Sequence, residues 1–314
     1  MTTMKLPDSP SGKQQYAFLP SALEHPRFTR YQGGRSSYML CHKQVIDSVR
    51  ERGSYKRFSP DGGMTVMHSL TGQQIGHILR VRVIQELQLL ARRLLRVRRL
   101  AKPADPPLLR RLTRAEWNEI KATGVIPYRN AVAVLVVPPP NRDPETKERP
   151  TPVATSTPDL EDLEGKEPPK SLPISVLHPT FKEEQQWKDD PLSKIVPPSL
   201  VPLYNGVSLF PSRTQRAALH AALSEVLRAE RTTRLMTGSQ PALTGEVSST
   251  TGGPARAKGD KKASHAILLC SDERTILRAD TVPLAIALWR VRMWEGDIDE
   301  EAVVHWMAEP SRIP

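Results

Sequence analysis

The chain is poor in the residues that name a reaction outright. Its two cysteines, Cys41 and Cys270, lie far apart and in no paired motif. They exclude a disulfide framework and a cysteine-based zinc site, and they suit a reducing compartment such as the cytosol, nucleus or mitochondrial matrix. Aromatics are 5% of the residues, so no stacking platform for single-stranded bases is advertised. No apolar run approaches the ~18 residues of a membrane span, and the first residues do not read as a secretory signal. The phosphate-loop pattern G-x-x-x-x-G-K-[ST] is missing, and no G-x-G-x-x-G follows a strand. There is no G-x-S-x-G nucleophile elbow. The eight histidines show no H-E-x-x-H and no ligand spacing beside cysteines or carboxylates. These gaps disfavour an enzyme and predict no cofactor and no metal.

Positive charge is what the chain has in excess, with a net of +11. Between Arg80 and Arg114 eleven Lys or Arg face two acids, Glu86 and Asp105. From Asp143 to Asp190 the balance reverses, with twelve acids against six bases. Proline is also abundant, at 30 of 314 residues. It gathers with Glu, Asp, Lys and Thr in residues 138–171, which read as a disordered linker. Residues 237–264 are low-complexity and read as a second disordered insertion.

Between these stretches the pattern predicts a small α/β core, with an α+β arrangement as the alternative. Residues 1–35 lack periodicity and read as an extended or disordered lead-in. A helical basic module follows over 36–137, running into the first core strand, and the core itself takes 172–236 and 265–309. Three short strands are expected, at 131–137, 172–177 and 265–271. Residues 181–205 read as irregular. The clearest local signal is LTRAEWNEIKATG. Thr113 and Glu116 form a capping box, Leu112 and Trp117 have the spacing of a hydrophobic staple, and Gly124 ends the helix. Trp117 is therefore a packing residue before it is a stacking one. Ser212 and Gln215 predict a second cap, opening a helix to about Arg234. A last helix, capped by Asp280 or Thr281, is apolar nearly all round and should be largely buried.

A long helix is expected from Thr71 to about Ala101. On its wheel Val83, Leu87, Leu90, Leu94, Val97 and Ala101 form a heptad seam fit for a protein partner. Arg92, Arg96 and Arg99 share the far side with Gln85 and Gln88. Arg82 and Arg93 flank one edge of the seam, Arg80 and Arg98 the other. Arginines at i,i+4 repel by a few tenths of a kcal/mol each, so this face calls for an anion. RNA or DNA phosphate is the first candidate, since the planar guanidinium fork suits it. Arg92, Arg93, Arg96, Arg98, Arg99, Arg110 and Arg111 are the residues expected to bind it. An anionic membrane surface, an acidic protein partner and the chain's own 143–190 segment are the competitors. SDER, at 271–274, leaves the carboxyl end of a strand, where α/β folds place sites. A strand-ending polar turn explains Asp272 and Glu273 better than catalysis does.

The order of a basic helix, Val134–Pro138, a Pro-rich spacer, Pro173–Leu177, a helix and Ile267–Arg274 resembles fungal mitochondrial proteins required for respiratory growth and mitochondrial genome maintenance. The resemblance implies a mitochondrial location, with nucleus or cytosol as the alternatives. It also implies a role supporting the mitochondrial genome or its expression. It carries over no catalytic residue. The first 46 residues, with six Lys or Arg and two acids, match a mitochondrial presequence weakly. The competing reading is an ordinary disordered N-terminus.

Overall fold

The computed structural model describes residues 1–6, 14–29, 35–59, 63–97, 107–128, 130–142, 145–155, 173–180, 200–237, 262–278 and 280–296. It has mixed α/β content. The chain divides into two units, one of residues 1–85 with 286–314 and the other of residues 86–285. Both divisions fall inside helices.

The first unit holds a three-stranded sheet in the order β1 (Thr2–Lys5), β2 (Gln15–Leu19), β3 (Met64–Val66). β1 runs antiparallel to β2, and β3 parallel to it. The predicted lead-in over 1–35 is thus corrected in part: two of its segments are paired strands. Their signal was weak because they are four and five residues long and Thr2 and Thr3 are buried. Phe18 is fully buried and stacks on Phe58 with ring centroids 5.5 Å apart. Helix α1 (Lys43–Glu51) buries Val45 and Ile46.

Helix α2 (Thr71–Val97) is described as far as Val97, and its predicted end near Ala101 lies outside the described residues, which resume at 107. Its seam is present at Val83, Leu87 and Leu90, all buried. Leu94 is only half-buried, and the side chain of Val97 and all of Ala101 lie outside the described residues. The expected polar far side is corrected at Gln85 alone: Gln85 is buried, as are Arg80 and Glu86 beside Val81, Ile84 and Ala91, while Arg82 and Gln88 are half-buried. Polar groups tolerate such burial only when hydrogen-bonded. Gln85 meets that need by accepting the His25 backbone N–H at 2.9 Å and donating to Glu24 at 3.2 Å. Exposed arginine begins only at Arg92.

The second unit is built on a five-stranded mixed sheet. Its strands are β4 (Leu109–Thr113), β5 (Ala131–Val136), β6 (Ser175–Pro179), β7 (Leu200–Asn205) and β8 (Ala263–Cys270), in the order β4-β8-β5-β7-β6. β5 and β7 are parallel, and every other neighbouring pair is antiparallel. The three predicted strands are β5, β6 and β8. β4 and β7 were missed. LRRLT shows no clean alternation, and LVPLYN follows a charged, Pro-rich stretch and contains Pro202. β5 sits centrally, and Ala133, Val134 and Leu135 are buried in succession, as expected of a strand covered on both faces.

Helix α3 (Arg114–Thr123) follows its sequence signal closely. Thr113 Oγ1 accepts the Glu116 N–H, and the Glu116 carboxylate accepts the Thr113 N–H at 2.7 Å. Gly124 closes the helix at φ 66°, a left-handed position that favours glycine. Leu112 is fully buried and Trp117 packs against the cluster that contains it. A four-residue turn α4 (Gly206–Leu209) precedes α5 (Arg213–Thr237). The Gln215 N–H reaches Ser212 Oγ at 3.5 Å, a long cap, while the Gln215 side chain instead donates to the Ala154 carbonyl at 3.0 Å. Helix α6 (Glu273–Leu277) is short and α7 (Val282–Glu295) is the last. Leu284, Ala287, Leu288, Val291 and Trp294 of α7 are buried, but Ile286 and Trp289 are exposed. Its burial is therefore one-sided. Arg292 covers part of the Trp289 face, at 4.5 Å from the ring centroid. No helix among the described residues is long and apolar enough to cross a membrane.

Candidate anion-binding site

The seven arginines expected to bind an anion part company in the fold. Arg98 and Arg99 lie outside the described residues. Arg92, Arg93 and Arg96 are exposed near the end of α2. Arg93 donates to Asp280 Oδ1 at 3.0 Å, and Arg278 reaches the other oxygen of the same carboxylate at 2.9 Å. Arg93 is therefore held by the chain's own acid, and that acid lies outside the 143–190 segment. Arg92 and Arg96 have no carboxylate partner among the described residues. They are one helical turn apart on the same face.

Arg110 and Arg111 are neighbours in sequence, and strand alternation sends them to opposite faces of the sheet. Arg110 shares the α3 side with Leu112 and Tyr128. It donates to Glu116 Oε1 at 2.8 Å and lies 5.0 Å above the Tyr128 ring. The Tyr128 hydroxyl donates to the same carboxylate at 3.1 Å. Arg110 is thus removed from the list of free cations. Burial opposes ionisation of Glu116. Hydrogen bonds from the Thr113 N–H and Arg110, with the Arg110 charge, outweigh it and hold the carboxyl below its ordinary value of 4.5. Burial and the Glu116 charge push Tyr128 up to about 12, against the pull of Arg110.

The lowered Glu116 value makes a stability prediction with a definite sign. An acid more readily ionised when folded stabilises the fold above its unfolded value, and that contribution is lost as pH falls through the folded value. Denaturant midpoints measured from about pH 6 down to about pH 3 should fall more steeply for the wild type than for Glu116→Gln. Equal slopes would remove Glu116 from the account.

Arg111 faces the other side of the sheet, where α5 packs against β4. Its register partner on β8 is Ile267, and His265 lies two residues before Ile267, on that same side. Arg111 Nε is buried and has no hydrogen-bond partner among the described residues. Helix α5 brings up His220, and the charges that act on His220 are those of Arg111, Arg149 and His265. Burial, then the influence of Arg111, Arg149 and His265, hold its pKa below the ordinary 6.5. The sequence treated the histidines only as metal ligands and so passed over His220, His265 and Arg149. The signal was not local: it needed β4 to be recognised as a strand and paired with β8.

The other expected candidates are structural. The Asp272 carboxylate accepts the Thr275 N–H at 2.7 Å, and Thr275 Oγ1 accepts the Asp272 N–H at 2.6 Å. This reciprocal pair starts α6, as the polar-turn reading of SDER expects. Cys270 is buried at the end of β8. Burial pushes the Cys41 thiol up, with Arg290 acting weakly against it, which is the opposite of what a nucleophile needs. Cys41 lines a small, mainly apolar pocket with Leu23, Met39, Ile46, Ile75 and Trp294. Among the described residues no three His, Cys, Asp or Glu side chains group to hold a metal ion. No family model, curated protein or solved structure matches this chain.

Proposed function

We propose that the chain is a non-enzymatic factor that grips nucleic-acid phosphate through the exposed end of α2, in support of mitochondrial genome maintenance or gene expression. The observation that carries the binding reading is the isolation of Arg92 and Arg96. Arg80, Arg93 and Arg110 each meet a carboxylate of the chain, while Arg92 and Arg96 meet none among the described residues. Local helix physics does not account for the pair. A cation in the last turn gains about 0.5 kcal/mol from the helix dipole. Arg92 and Arg96 at i,i+4 repel by a similar amount, so the two effects cancel. An external anion gives both side chains a purpose. The mitochondrial role rests on the resemblance of Val134–Pro138, Pro173–Leu177 and Ile267–Arg274 noted above.

A surface-docking assembly protein is the alternative, with an acidic protein or an anionic membrane as its partner. Leu95 is the exposed aliphatic residue of this stretch, which leaves lipid little to bury at the end of α2. Affinity for a single-stranded RNA, measured across a salt series, tests the proposal. The logarithm of the affinity should fall with the logarithm of salt by about 0.7 per phosphate neutralised. Affinity independent of salt, or binding only to anionic vesicles, would sink it.

A further inference from the structure

The α5 side of the five-stranded sheet collects four basic groups from four segments. They are Arg111 of β4, His265 of β8, His220 of α5 and Arg149 of the described 145–155 stretch. The charged groups acting on His220 are Arg111, Arg149 and His265, with no carboxylate among the described residues. On its own helix the nearest charged position is Arg216, one turn earlier. Like charges gathered on one face raise the free energy of the free protein. A buried Nε–H left without an acceptor adds a further cost. Arg93 and Arg110 of the same unit, by contrast, each meet a carboxylate of the chain.

We propose that Arg111, Arg149, His220 and His265 form a binding site for one phosphate group. Its oxygens would take the orphaned Arg111 Nε–H and answer the positive charge of Arg111 and Arg149. The site is separate from the Arg92 and Arg96 face and stands or falls without it. Because burial and its cationic neighbours disfavour charge on the free His220, a bound dianion would draw a proton onto the ring. Binding should therefore tighten as pH falls, by at most about tenfold per pH unit for each histidine that takes up a proton.

Isothermal titration of the full chain with inorganic sulfate, between about pH 8 and pH 5.5, tests this. Sulfate keeps its two charges across that range, so the pH dependence reports the protein. Inorganic phosphate is titrated in parallel at a single pH. One saturable site for each ion is expected, tightening toward low pH for sulfate. Arg111→Gln should weaken it about tenfold, the loss of one charge-assisted hydrogen bond. Arg149→Gln, at an exposed position, should weaken it in the same direction and keeps the test open if the first variant fails to fold. The double variant Arg92→Glu with Arg96→Glu should bind sulfate as the wild type does. Absence of saturable binding overturns the proposal, and so does binding unchanged in both glutamine variants. If a short RNA competes with sulfate, the phosphate read here is a backbone phosphodiester. If it does not, the phosphate is a free ion or a small phosphorylated molecule.

Discussion

Changing Arg92 and Arg96 together to glutamate should weaken binding to single-stranded RNA by about two orders of magnitude near 0.1 M salt. Each phosphate contact on a single strand contributes about 0.7 to the slope of log affinity against log salt. Losing two contacts should make the slope shallower by about 1.4, worth roughly 25-fold at 0.1 M. Glutamates in place of the arginines repel the backbone and supply the rest. Both side chains are exposed and have no acid partner among the described residues, so the fold should lose little stability, and a melting curve verifies that. A matched control reverses Arg228 and Arg231, two exposed residues of α5. It makes the same change in net charge on another surface. If the control loses as much affinity, the effect is one of net charge and the α2 face has no special role. If the α2 variant crosslinks to RNA as well as the wild type does, the proposed function fails.

What could be foreseen from the chain divides by the range of the interaction. The cap of α3 was legible because Thr113, Glu116, Trp117 and Gly124 lie within one helix and its ends, and β5 because seven apolar residues stand together. β4 was not legible. Its charged pair, Arg110 and Arg111, looked like a continuation of the basic helix, and only the pleat separates them onto opposite faces. The wheel of α2 predicted the buried seam at Val83, Leu87 and Leu90. It could not foresee that Arg80 and Gln85 are buried too, because their partners, Glu295 and the 24–25 stretch, lie 215 and about 60 residues away. Local spacing sets the arginines of α2 against one another. Part of the answering negative charge is internal, on Asp280 and Glu295, which leaves Arg92 and Arg96 as the outward-facing candidates among the described residues. The phosphate cluster was the least legible feature, since its four members come from segments that meet only once the sheet has formed.

Removing the Glu295 carboxylate should be among the most destabilising single changes in the first unit, because it takes a close acid partner from a buried cation. Arg80 Nη2 lies 2.6 Å from Glu295 Oε1, with side chains 10% and 24% exposed. Gly76 is packed beneath this pair: a Cβ there would stand 2.9 Å from Trp294 Nε1 and 3.0 Å from Arg80 Nη1. Trp294 itself is buried, so the guanidinium has little room to swing toward water. Losing one partner of a fully buried ion pair costs about 3–5 kcal/mol, mostly from the charge left behind. The partial exposure of Glu295 lets some water reach the vacated place, so Glu295→Ala should cost about 2–3 kcal/mol in chemical denaturation. Replacing both partners with apolar side chains of similar size removes the buried charge together with its acid. Arg80→Met with Glu295→Leu should therefore be more stable than Glu295→Ala, recovering most of the loss. The comparison separates a charge effect from a packing effect. If the double variant is as unstable as the single one, shape around Gly76 and Trp294 governs this corner of the unit. If Glu295→Ala costs less than about 0.5 kcal/mol, the pair behaves as a solvated surface bridge, and the buried standing of Arg80 is refuted.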